Sequence, residues 1–258
     1  MTIPYITFNP GIASQKPSNT DTCPFCIQDN LGAILEEKND MIWVENKFPT
    51  LEETYQTLVI ESDDHFGDMS NYSQQKRRDL LAFMLEKWVE LEKRRDFQSV
   101  VLYRNFGPLS GGSLRHPHSQ IVGFKTIDAY ANLQKAYFEG LIVCSETEDQ
   151  AEISISNKPM LDFTEFTIRI STPAKLPLLA DALGFLCAYL LTDFLNGACH
   201  SYNLFFFRQD QGLVCKLLPR FVVSPYMIGY GIHQVNQFER LDVIRKEIQA
   251  RLSKANNR

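Results

Sequence analysis

"RHPHSQIVGF" (residues 115–124) sets two of the chain's five histidines on either side of Pro117, with Gln120 two positions beyond the second. In an extended segment residues i, i+2 and i+4 line one face, so His116, His118 and Gln120 are predicted to point the same way. Pro117 fixes its own φ and drives His116 out of the helical region, which makes extended backbone the expectation.

The flanking sequence supports a sheet around that segment. Upstream, "SVVLYRNF" (99–106) reads as a strand and "GPLSGGSLR" (107–115) as a glycine-rich loop. Its glycines 107, 111 and 112 let backbone N–H groups come close to an anion. Further back, "DMIWVENKF" (40–48) and "YQTLVIES" (55–62) are dense in β-branched and aromatic residues and read as strands. Between them and the loop, residues 68–95 carry Leu80, Met84, Trp88 and Leu91 at helical spacing, with Ser70 or Ser73 as the N-cap. The first twenty residues, rich in Pro, Ser, Asn and Thr, read as a loop or arm.

A similar outline follows. "IDAYANLQKAYFEG" (127–140) is predicted as a helix, then strands "LIVCSE", "AEISIS" and "FTIRIS", a helix over 176–195, strands "YNLFFFR" and "LVCKLLPRFVV", and a closing amphipathic helix over 235–252. Strands in runs with helices between them predict an α+β protein of two similar halves, residues 1–130 and 131–258.

Composition bounds the function. The net charge of −5 argues against a nucleic-acid partner, which needs a basic field. The N-terminus has no basic-then-apolar signal pattern. The apolar run 176–195 is long enough to span a bilayer, but Asp181 and Asp193 interrupt it, so a buried or amphipathic helix is expected, in a cytoplasmic chain without a membrane partner. Of six cysteines only Cys23 and Cys26 are closely spaced, and a Cys-x-x-Cys pair outside a secreted protein reads as metal or redox chemistry. Cys144, Cys187, Cys199 and Cys215 read as small buried hydrophobes. A closed zinc site needs four ligands. His65 and His116 are candidates beside the cysteines, although His65 among its acidic neighbours also reads as a surface histidine.

The stretches "CPFC", "VENKFPTL", "VIESDDHFGDMS" and "YRNFGPLSGGSLRHPHSQIVG", with "YNLFFF" and "LLPR" later, resemble in order the hexose-1-phosphate uridylyltransferase branch of the histidine-triad (HIT) superfamily. The resemblance is close over most of the first 125 residues and holds in outline beyond them. It implies a HIT-like fold whose halves pack as an intramolecular pseudo-dimer, the second half degenerate. It implies one structural zinc on Cys23, Cys26, His65 and His116, and His118 as the nucleophile that becomes a nucleotidyl-histidine. It assigns Gln120 to the phosphoryl oxygens, Asn105 and Ser113 to phosphate contacts, and Asn46 and Phe48 to the nucleoside. Arg104 and Arg115 either add positive charge to that site or are solvated strand-end residues.

Imidazole chemistry is consistent with this. With a pKa near 6.5 the ring is neutral and nucleophilic at pH 7, provided one nitrogen is held and the other faces phosphorus. The superfamily's hydrolases have a third histidine where this chain has Gln120. A carboxamide neither protonates a leaving group nor activates water, but a phosphate leaves as an anion unaided and is mostly dianionic at pH 7. The expectation is therefore a nucleotidyltransferase or phosphorylase. It would work by ping-pong, moving a nucleoside monophosphate from a nucleoside-diphosphate sugar or dinucleotide to a phosphate or sugar-phosphate acceptor.

The alternative is a catalytically degenerate, nucleotide-binding HIT-like protein, monomeric or homodimeric. The second half motivates it. The family's second His-x-His strand reads "VCKLLPR" here, and its sugar-binding segment, usually holding a glutamate, reads "FVVSPYMIGYGIHQ" with Ser224, Tyr226, Tyr230 and His233. Lys47 stands where the uridylyltransferases often carry an acid.

Overall fold

A computed structural model describes residues 4–16 and 23–256. Residues 1–3 and 17–20 of the predicted N-terminal arm lie outside them, and its described part holds one turn of helix, α1 (Pro10–Ala13). The chain divides into two compact units. The first comprises residues up to Asp68, Asp79–Asn105 and Gly112–Asn132; the second comprises Met69–Arg78, Phe106–Gly111 and the chain from Leu133 onward.

In the first unit five antiparallel strands run in the order β1 (Ile34–Lys38), β2 (Met41–Glu45), β3 (Thr54–Ile60), β5 (His118–Phe124), β4 (Ser99–Phe106). β5 is central, pairing Ile60 with His118 on one side and Arg104 with Ser119 on the other. The predicted helix is α2 (Gln74–Lys93), capped by Ser73, whose Oγ accepts from Lys76 N at 3.2 Å. It buries Leu80, Met84, Trp88 and Leu91, the positions its periodicity named. Trp88 Nε1 donates to Val100 O at 2.9 Å, which ties the helix to β4. The other side of the sheet keeps Val44, Leu58 and Ile60 buried beneath Phe25, Leu31 and Ile42.

The second unit has β6 (Gly140–Cys144), β7 (Glu152–Ser156), β8 (Phe166–Ile170), β10 (Gly212–Pro219) and β9 (Tyr202–Gln209) in that order, again antiparallel. The fold class is α+β, as the sequence predicts. The apolar run becomes α3 (Leu176–Thr192); it is long and apolar enough to cross a membrane, yet it packs Leu179, Leu183, Leu186, Cys187 and Leu190 fully into the core of this unit. It stops where Leu195 and Asn196 take left-handed backbone. The last helix is α5 (Phe238–Asn256).

Two expectations need correction. Residues 127–140 form turns and one 3-10 turn (Lys135–Phe138) in place of a helix. Asp128 accepts from Tyr130 N through its side chain, and Ala129 N and Tyr130 Oη bond to Ser99 and Val100. These local bonds take up the groups a helix would need. Strand β10 also ends at Pro219 and does not run on through Val223.

Candidate active site and metal cluster

The "CPFC" stretch folds as a 3-10 turn (Pro24–Cys26) that carries three things to one end of the first unit's sheet: two thiols and the Phe25 ring. The ring stands edge-on to both histidines of the Pro-separated pair, with centroids 5.8 Å from His116 and 5.2 Å from His118.

Cys23, Cys26, His65 and His116 come together with their ligand atoms within 4.8 Å of one another. Cys26 Sγ lies 3.4 Å from Nδ1 of His65 and 3.4 Å from Nδ1 of His116. With bonds of about 2.3 Å to sulfur and 2.0–2.1 Å to nitrogen, a tetrahedral ion separates such a pair by about 3.5 Å. The donor set and spacing therefore fit a metal ion. Burial, then the neighbouring Cys23 thiol, raises the Cys26 pKa, so without a cation that sulfur favours the protonated form. The other ring nitrogen of His116, Nε2, lies 2.8 Å from Ser62 O, an acceptor that fixes its tautomer and ring plane.

The opening expectation of one shared face is met in part. β5 begins at His118, so His116 precedes the ladder and its ring turns to the cysteines. His118 and Gln120 share the face and line a cleft with Phe25, Asn46, Phe48 and Ser113. Its cavity measures about 110 Å³. His118 is buried, and its Nδ1 sits 2.8 Å from the carbonyl of His116. That contact puts the ring proton on Nδ1. Nε2 has no hydrogen-bond partner among the described residues. Burial lowers the His118 pKa, against the opposing pull of the carbonyl, so the ring is neutral at pH 7. Gln120 Oε1 accepts from Tyr103 Oη at 2.9 Å, which turns the amide NH₂ to the other side. Asn46 Oδ1 caps Phe48 N at 2.9 Å and sets the Phe48 ring into the cleft.

The remaining named residues stand apart from that lining. Asn105 lies at the end of β4. Arg115 donates to Phe66 O at 3.1 Å and covers the Phe66 ring, 5.7 Å from its centroid. Arg104 is not a solvated strand-end residue, and its charge acts on His118 from behind the strand. It is 1 % exposed, behind the strand, and forks onto Glu61 at 2.8 and 3.1 Å with Asp68 at 3.1 Å. Glu61 also accepts from Ser119 Oγ at 2.7 Å, and Glu61 N bonds Pro117 O at 3.1 Å. Sequence reasoning missed this buried network. Its one available signal was Arg104 and Ser119 occurring at the inward parity of two strands.

The family model described as "Domain of unknown function (DUF4931) N-terminal domain" matches residues 8–127, and its C-terminal counterpart matches 130–252. A galactose-1-phosphate uridylyltransferase of Streptomyces lividans is 26% identical over 106 residues, 40% of this chain and 30% of that protein, so this chain spans under a third of that relative. Among solved structures, a DUF4931 family protein of Bacillus cereus ATCC 10987 is 40% identical at a TM-score of 0.75, covering 84% of this chain and 98% of that one. An ADP-glucose phosphorylase of Arabidopsis thaliana with bound ADP-glucose is 15% identical at a TM-score of 0.71, covering 94% and 93%. The chain thus belongs to the DUF4931 family and carries a fold similar to that of the ADP-glucose phosphorylase.

Proposed function

We propose that the protein is a nucleotidyltransferase or phosphorylase that works through a nucleotidyl-histidine at His118. The observation that carries this is the His118 ring itself: Nδ1 held on the His116 carbonyl, Nε2 without a partner, in a cleft shared with Gln120 and Ser113. Nε2 attacks the α-phosphorus of a nucleoside-diphosphate sugar or dinucleotide. The P–N bond forms as the bond to the leaving phosphate oxygen breaks, and the sugar phosphate departs as an anion with no proton supplied. The ring, now cationic, keeps its Nδ1 proton on the carbonyl, a charge-assisted hydrogen bond. An oxygen of phosphate or of a sugar phosphate then attacks the same phosphorus and restores the neutral imidazole. Gln120, its amide turned away from Tyr103, holds a phosphoryl oxygen in both steps; Ser113 supports the phosphate, and Asn46 and Phe48 support the nucleoside. For Asn105 and Arg115 we propose phosphate contacts made from outside the cleft lining.

We assign one structural zinc to Cys23, Cys26, His65 and His116. It would hold the turn bearing Phe25 against the histidine pair and leave His118 free of metal. We take the first half, to residue 130, as the catalytic one.

Intact-protein mass spectrometry after mixing with common nucleoside-diphosphate sugars and dinucleotides tests the proposal. A gain of one nucleoside monophosphate is expected, identifying the base, and His118→Gln should abolish it. No gain with any donor, while nucleotides still raise the melting temperature by mass action, would favour the degenerate nucleotide binder instead.

A further inference from the structure

β5 opens on the residue proposed as nucleophile, and the first residue of a strand is where its ladder holds least. Pro117, just before it, has no N–H to give a neighbouring strand. On the β3 side the last rung pairs Ile60 with His118, and on the β4 side the register ends at Arg104 with Ser119. Regular pairing therefore secures the His118 backbone from one direction along the chain. A nucleophile needs more than that, because a displacement of about 1 Å from the reactive alignment can cost about 10²-fold in rate.

The two residues that follow β3 supply the missing hold. Ser62 O lies 2.8 Å from Nε2 of His116, Glu61 N donates to Pro117 O at 3.1 Å, and Glu61 Oε1 accepts from Ser119 Oγ at 2.7 Å. Residues 116, 117 and 119 are thus each tied down around the one that must react. The carboxylate reaches further still. Oε1 also accepts from Arg104 Nε at 2.8 Å, and Oε2 accepts from Arg104 Nη2 at 3.1 Å. A side chain rooted just beyond β3 therefore spans β5 and is anchored on β4. Arg104 is itself fixed by Asp68 at 3.1 Å, and its chain neighbour is Asn105, for which a phosphate contact is proposed.

Stability alone is a poor reason for such a strut. Glu61, Arg104, Asp68 and Ser119 are all buried. Taking charges out of water is costly, and apolar side chains of the same size often hold a core as well or better. What a buried ionic fork adds is direction. Both carboxylate oxygens are fixed by a planar guanidinium, so Ser119 meets its acceptor in one place. That bond sets the position of the His118 backbone, while the bond from Nδ1 to His116 O sets the rotation of the ring. Position and rotation together aim Nε2.

We infer that Glu61 is a positioning residue for the nucleophile, holding the chain on both sides of His118 so that Nε2 keeps its aim through both half-reactions; this rests on the nucleotidyl-transfer reading of the cleft. With a donor that labels the wild type, rapid-quench mass spectrometry gives the rate of nucleotide uptake. Ser119→Ala cuts the tie and leaves the fork between Glu61 and Arg104 in place. It should still take up one nucleotide per chain, but about 10–100-fold more slowly at saturating donor, with the half-saturating concentration unchanged. Glu61→Gln keeps the bond to Pro117 and an acceptor for Ser119 but breaks the fork, so it should lose more in melting temperature and less in rate. Rates that follow the melting temperatures across the two variants would mean that Glu61 serves stability alone, and would overturn the inference. A Ser119→Ala rate equal to that of the wild type would do the same. One readout needs no turnover. The ¹⁵N–¹H imidazole spectrum, with the His118 signals assigned by their loss in His118→Gln, should show a single Nδ1-protonated ring in the wild type and an averaged or doubled set in Ser119→Ala. Identical spectra overturn the inference even where no donor labels the protein, a result that by itself sinks only the transfer reading.

Discussion

Ser119 sits between the two residues that matter most to the cleft, and its hydroxyl points the other way, onto Glu61. The alternation of a strand thus divides "HSQ" into a face that lines the cleft and one that supports it. The support is ionic: Glu61, Arg104 and Asp68 are all at least 98% shielded. Breaking a buried pair by removing one partner leaves an uncompensated charge and costs about 3–5 kcal/mol. Arg104→Met should therefore lower the unfolding free energy by about that amount in urea titrations. If the loss were under about 1 kcal/mol, the value of an exposed pair, the network would not be what steadies β5.

At the level of strands and helices the sequence was most readable where one face is apolar and the other is not. Leu80, Met84, Trp88 and Leu91 gave α2, and "SVVLYRNF" gave β4 to the residue. β1 was overlooked because "ILEEK" exposes four of its five positions and has no inward pattern to detect. The 127–140 segment misled for the opposite reason. Its apolar spacing is helical, but Asp128 and Tyr130 bond to what lies beside them. α4 (Pro225–Tyr230) escaped notice since its apolar residues face solvent, where periodicity carries no information about packing. Residue types alone offered His65 and His116 as partners for the cysteines, and the resemblance fixed the set: 90 residues separate Cys26 from His116, and spacing alone cannot say that they meet. Chelation would show what that cluster does for its neighbours. Metal analysis should find one zinc per chain. Removing it should speed amide exchange in β2, β3 and β5 while leaving β9 and β10 protected, as peptide-resolved hydrogen exchange would measure. Uniform loss across both sets of strands would contradict a zinc that secures only the first unit.

Across the whole chain, the two units repeat one strand order, 1-2-3-5-4 against 6-7-8-10-9. They do not repeat its chemistry. Where the fourth strand of the series opens with His118 in the first unit, in the second it carries Lys216, sunk among Glu165, Thr167 and the Tyr137 carbonyl. Burial lowers the pKa of that lysine, and the carboxylate beside it opposes the shift.

His116 has a double attachment. Its ring joins the sulfur cluster, and its carbonyl, a few bonds away, steadies the proton of His118. Cobalt loaded in place of the proposed zinc would therefore give a coloured protein whose visible absorption responds when His118 becomes modified. An unaltered spectrum on full modification would mean that the two attachments are electronically and mechanically independent. If the spectrum does respond, each half-reaction could be followed by eye in a stopped-flow cell, with no label on donor or acceptor.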